Sequence, residues 1–193
     1  MAWVAFLALL ASTAALRIGE ALVSYARLRG RDGELVSERW LFPLMALLHA
    51  AFVLLPAVEV IALDRPFVPW LAALALGAFG GATALRIWTL AALGGSWNVR
   101  VVRPRAVVTD GPYRWIRHPN YLVVIVEIAS LPLVHGAWMS AVALSALNAF
   151  VLFHRIRTEE RTLSEIPAWR DAMADRPRLL PLAGPRRHRA TPS

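Results

Sequence analysis

Three long apolar runs, at 2–25, 40–62 and 67–93, constrain this chain more than any other feature. Each is close to or above the ~20 residues that a helix needs to cross a bilayer. Lipid offers no hydrogen-bond partners, so a chain with such runs must satisfy its backbone internally, which leaves helices or a closed barrel. The runs lack the alternation of a barrel strand and read as helices. Two further apolar stretches, 121–134 and 137–153, flank His135-Gly136 and read as a helical hairpin whose first arm is short enough to be re-entrant or half-spanning. Pro119 suits a helix start, and Pro132 should bend or end the first arm. The expected fold is all-α: a polytopic membrane helix bundle of about five transmembrane segments, the last two a hairpin. A cytosolic helical extension should follow over 155–165, because no glycine or proline interrupts the chain before Pro167.

Hydrophobic residues make up 58% of the chain, above the ~45–50% apolar content of soluble domains. All 21 basic residues are arginines, and they cluster in alternate connections, at 27–39, 100–117 and from Arg155 onward. By the positive-inside rule the N-terminus is outside, and those clusters and the C-terminus are cytoplasmic. The small residues at 11–15 would suit a cleaved leader, but no basic region precedes the first run, so it is expected to remain as a helix. The net charge of +8 then faces anionic head groups, and the lipid bilayer, not nucleic acid, is the expected partner. An arginine-only, alanine-rich composition points to a bacterial inner membrane. The absence of cysteine excludes thiolate chemistry and disulfides. Residues 1–176 read as one membrane domain with its chemistry in 94–165. The segment 96–110 reads as a loop or short extended stretch, 169–174 as a short interfacial helix, and 177–193 as a basic disordered tail.

Two polar clusters bracket the hairpin: GPYRWIRHPNY at 111–121 and RIRTEE at 155–160. Guanidinium, imidazole, aromatic and carboxylate groups gathered at a membrane boundary are costly unless they bind something. On a helix, Ser145, Asn148, Leu152, Arg155 and Glu159 form one stripe, while Arg157, Glu160 and Arg161 form an ion-pairing set on another face. Glu127 and Arg86 lie at membrane depth and could pair with each other, as could Arg17 with Glu20. His49, His135, His154 and His188 are scattered without metal-ligand spacing, so no metal is expected. No nucleophile elbow and no dinucleotide-binding glycine loop appears.

The combination G-P-Y-x-x-x-R-H-P-N-Y, an apolar hairpin and R-I-R-x-E-E resembles the isoprenylcysteine carboxyl methyltransferase family over about 94–165. The resemblance implies a small membrane enzyme that binds S-adenosyl-L-methionine between the cytosolic loop and the last helices. By motif, Gly111, Pro112, Tyr113, Arg117, His118, Pro119, Tyr121, Glu159 and Glu160 would form the cofactor pocket, and Arg157 and Glu160 would be the catalytic pair. Arg157, Asn148 and Glu127 would meet the substrate. The chain departs from the family pattern at Val123 and at 166–169, Ile-Pro-Ala-Trp, which leaves the acceptor open. The implied activity is O-methylation of a carboxylate or acidic hydroxyl on a lipophilic acceptor, prenylated or a long-chain polyketide, with no obligate protein partner. His118 or Glu127 would act as a base only for an acceptor that is not already ionised. A phospholipid N-methyltransferase and a nicotinamide-dependent reductase are the enzyme alternatives. A non-enzymatic scaffold or transporter component, with the polar stripe as a helix seam, is the alternative of another class.

Overall fold

A computed structural model describes residues 2–28, 41–96 and 107–181, and every regular element among them is helical. The helices are α1 (Ala2–Leu28), α2 (Leu41–Ala62), α3 (Pro69–Leu93), α4 (Pro119–Ser130), α5 (Trp138–Ser164) and α6 (Pro167–Met173). The four longest, α1, α2, α3 and α5, are long and apolar enough to cross a membrane. At 12 residues α4 rises only about 18 Å, less than the ~30 Å hydrocarbon core. The hairpin's first arm is therefore the partial span expected from its length. Most of the connections at 29–40 and 97–106 that carried the arginine count, most of the extended segment, His188 and the tail from 182 lie outside the described residues.

Proline and glycine set the boundaries. Pro69, Pro119 and Pro167 each stand in the first turn of a helix, where a missing N–H costs nothing. Pro132 converts the end of α4 into a tighter turn, Leu131–His135, which closes on Gly136 in the left-handed conformation at φ +69°. A Cβ on Gly136 would lie 3.1 Å from the Pro66 carbonyl oxygen, so the turn admits no side chain there without displacement. The start of α5 is capped from another helix: Glu59 accepts the backbone N–H groups of Met139 at 3.2 Å and Ser140 at 2.6 Å, and the Ser140 hydroxyl at 2.6 Å. Arg65 neutralises the same carboxylate at 2.9 Å.

Helix α4 packs against both α3 and α5, α2 lies along α5, and α1 along α2. Phe6, Leu48, Phe52, Ile128, Leu131, Leu144 and Val151 fill the shared core. Many large apolar side chains face outward instead, among them Leu22, Leu54, Leu74, Ile87 and Val142. Such exposure would be costly in water and is what lipid requires. Trp3, Trp70 and Trp138 begin or nearly begin α1, α3 and α5 and are exposed at that end of the bundle, an aromatic belt at the interface.

Candidate functional site

The opposite end carries the polar clusters. There the chain from Val107 turns through a short 3-10 helix, Gly111–Arg114, laid against the end of α3. Gly111 has φ +57°, and a Cβ built on it would lie 2.9 Å from the Ala92 Cβ and 3.2 Å from Trp88 Nε1. Glycine is thus required both for the backbone angle and for the close approach. The turn presents Tyr113 to a cavity, and burial together with the Glu159 carboxylate holds its phenol well above the usual range, so it stays protonated.

Arg117 and His118 are fixed by the chain that follows α6. The backbone N–H of Arg117 donates to Pro177 O at 2.9 Å and that of His118 to Arg178 O at 3.0 Å. The Arg117 side chain reaches Arg176 O at 2.6 Å and Ala174 O at 2.8 Å, and its third contact is Glu160 at 3.1 Å. His118 Nε2 meets the same Glu160 oxygen at 3.1 Å; a carboxylate oxygen accepts, so Nε2 carries the hydrogen. Arg178 closes on Glu160 from outside at 2.6 Å. The expected disordered tail therefore begins with an ordered strap at Pro177 and Arg178, because two backbone bonds and an ion pair hold it to the loop.

His118 stacks on Tyr121, ring centroids 5.3 Å apart. The Tyr121 hydroxyl donates to Glu159 and accepts from Arg155 Nε at 2.9 Å, so one phenol joins the base of α4 to two opposite charges on α5. These groups border a cavity of about 670 Å³, within the ~300–1,000 Å³ of ordinary ligand pockets. Tyr113, Arg117, His118, Tyr121, Arg155, Glu159, Trp169 and Met173 line its loop end. Deeper, Asn148, His49, Arg17, Glu20 and Arg86 appear among apolar walls that include Phe42, Val53, Leu54, Val124 and Leu152.

At membrane depth the two expected pairs merge into one network. Arg17 bridges Glu20 at 2.7 Å and Glu127 at 2.8 Å. Arg86 donates to Glu20 through Nε at 2.9 Å and again through Nη2, and lies 3.6 Å from Glu127. Two positive and two negative groups on α1, α3 and α4 thus cancel where a lone charge would be prohibitive.

Of the residues singled out from sequence, Tyr113, Arg117, His118, Tyr121, Asn148 and Glu159 come together around the cavity. Gly111, Pro112 and Pro119 shape the loop behind it, with both prolines buried. Glu160 lies one step back, engaged with Arg117, His118 and Arg178. Glu127 is turned to the two arginines and does not line the cavity. Arg157 is exposed on another face of α5, its guanidinium 4.0 Å from the Phe153 ring. Of these two α5 arginines it is Arg155 that lines the cavity, buried and four residues before Glu159. Its signal was the polar stripe, whereas the motif favoured its neighbour two residues on. Trp169, with Arg117 5.9 Å from its ring, and the Arg176 to Arg178 strap had no sequence signal that pointed at the loop.

This is a polytopic membrane helix bundle with a polar-headed, apolar-walled cavity among its helices. The chain belongs to the Isoprenylcysteine carboxyl methyltransferase (ICMT) family, whose sequence model matches residues 73–165. It is also similar to the uncharacterized protein YpbQ of Bacillus subtilis (strain 168), with 34% identity over 126 residues, 64% of this chain and 74% of that protein. The family match runs from α3 to the end of α5, so α1, α2 and the α6 strap fall outside it.

Proposed function

We propose that this protein is an integral membrane O-methyltransferase that uses S-adenosyl-L-methionine and acts on a carboxylate or acidic hydroxyl of a lipophilic acceptor, with its loop end at the cytosolic face of a bacterial inner membrane. The observation that carries the reading is the continuity of one cavity from the Tyr113, His118, Tyr121 and Glu159 cluster to apolar helix walls. The cofactor, when bound, supplies an electrophilic methyl group on a cationic sulfonium.

The residues at the loop end suit such a molecule. The faces of Tyr113, Tyr121 and Trp169 and the Glu159 carboxylate favour a cation. Arg117 has N–H groups beyond the three already engaged and offers them toward an anionic or carbonyl oxygen, while the hydrogen on His118 Nε2 stays on Glu160. Glu160 tethers both of these to the strap, so its role is to hold the donors in place. Arg155, fixed by Tyr121, is the cation best placed to orient an acceptor anion, a role that the motif alone gives to Arg157. An aligned, water-poor site accelerates transfer to an anion without a covalent enzyme intermediate. The apolar wall of α2 and α5 accommodates the acceptor's tail.

The reading is tested by incubating purified enzyme with methyl-labelled donor and a panel of long-chain carboxylic acids, enols, phenols and head-group amines, then extracting the lipids. Label in an oxygen acceptor is expected. Label in amine phospholipids alone would move the protein to N-methylation, and no label with any acceptor would contradict the reading.

A further inference from the structure

His49 on α2 has no part in the loop, the strap or the charge network, yet it lines the cavity at membrane depth. Its Nδ1 lies 2.7 Å from the backbone oxygen of Met45, one turn earlier on the same helix. A carbonyl oxygen can only accept, so Nδ1 carries the hydrogen and Nε2 keeps its lone pair. Among the described residues, no hydrogen bond engages Nε2. The helix therefore fixes the tautomer that a base requires, much as a second partner fixes catalytic histidines elsewhere.

The surroundings suit an anion formed beside that ring. Arg86, Arg17 and Arg155 act on His49 electrostatically from α3, α1 and α5. Glu20 on α1 and Glu159 on α5 also border the cavity, but each carboxylate is engaged, Glu20 by both deep arginines and Glu159 by Tyr121. Those bonds leave His49 as the neutral basic group at membrane depth, while the other cavity imidazole, His118, sits at the loop end with its Nε2 hydrogen on Glu160.

Building on the methyltransferase reading above, we propose that His49 is the general base for an acceptor whose nucleophile is a weakly acidic hydroxyl, an enol or a phenol, and that such acceptors are the enzyme's substrate class. The acceptor's O–H bond breaks as its proton passes to Nε2, and its oxygen forms a new bond to the methyl carbon. The S–CH₃ bond breaks with its electron pair left on sulfur, which becomes a neutral thioether. The positive charge ends on the imidazolium, which returns its proton to solvent. A carboxylate acceptor, ionised at neutral pH, undergoes the same methyl transfer but needs no proton acceptor. His49 thus distinguishes a hydroxyl methylator from a carboxyl methylator.

The experiment compares wild type with His49→Gln on long-chain phenols or enols graded in hydroxyl acidity, with S-adenosyl-L-methionine affinity measured by calorimetry in both. Donor affinity is expected to be equal, which reports an intact fold and an intact donor site. The kcat deficit of His49→Gln should be ~10²-fold or more for acceptors whose hydroxyl is protonated at the assay pH, shrinking toward unity as the acceptor becomes ionised. A deficit that is constant across the series would mark a structural role and overturn the proposal. So would turnover of carboxylates with no turnover of hydroxyls. A variant that loses donor affinity is replaced by His49→Asn, read by the same slope. Failure of wild type to bind donor would instead strike the methyltransferase reading on which this one rests.

Discussion

Replacing Glu127 with leucine should be among the most damaging single substitutions in the bundle, although the residue touches neither loop nor strap. Its side chain is 4% exposed, 2.8 Å from Arg17 and 3.6 Å from Arg86. In the variant both guanidiniums must share Glu20, which already accepts from each of them, and the cluster passes from neutral to a net charge of +1. Removing one partner from a buried ion pair costs ~3–5 kcal/mol. Because Glu20 remains, and its side chain is 23% exposed, the expected loss lies near the lower bound, about 3 kcal/mol. The assay is reversible unfolding in mixed detergent micelles, with Arg17→Met and the double variant completing a cycle. The two changes together should cost less than their sum by ~1–3 kcal/mol, since the double variant restores neutrality. A Glu127→Leu variant within ~1 kcal/mol of wild type, or strict additivity in the cycle, would refute the network as described.

Two other outcomes follow from the loop. Gly111→Ala must adopt a positive φ and push against Ala92 and Trp88, so it should destabilise the protein by about 2 kcal/mol or more, seen as a lower unfolding midpoint in the same detergent. Tyr121→Phe removes the hydroxyl that joins Glu159 to Arg155 and should lower methyl transfer roughly 10- to 100-fold while leaving the unfolding midpoint within a few degrees, measured on the most active oxygen acceptor.

Much of the helical layout is legible in the sequence because its causes are local. Apolar length gives the spans, Pro119 starts a helix, Pro167 ends the extension of α5, and Pro132 with Gly136 closes the hairpin. The motif loop is legible as a place where costly side chains gather. Pairings that depend on how helices are rotated against each other are not. Arg17, Glu20, Arg86 and Glu127 read as two separate pairs, and only the packing of α1, α3 and α4 joins them. Arg155 and Arg157 differ by two residues, or about 200° around α5, so the choice between cavity and exterior rests on which face α2 and α4 cover. The strap escapes the sequence for a different reason. Proline and arginine composition reads as disorder, while the bonds that order Pro177 and Arg178 come from backbone 60 residues away. His49 gave only a lone histidine on an apolar helix, and its tautomer became readable once Met45 O was in view.

The central claim is that the cavity beneath Tyr113 and His118 holds the methyl donor, and the most direct test is calorimetric titration of detergent-purified protein with S-adenosyl-L-methionine. Wild type should bind with micromolar affinity. His118→Ala, which loses both the stack on Tyr121 and the bond to Glu160, should weaken that affinity at least tenfold while the protein remains folded. Absence of binding by folded wild type, or equal affinity in the variant, would contradict the account.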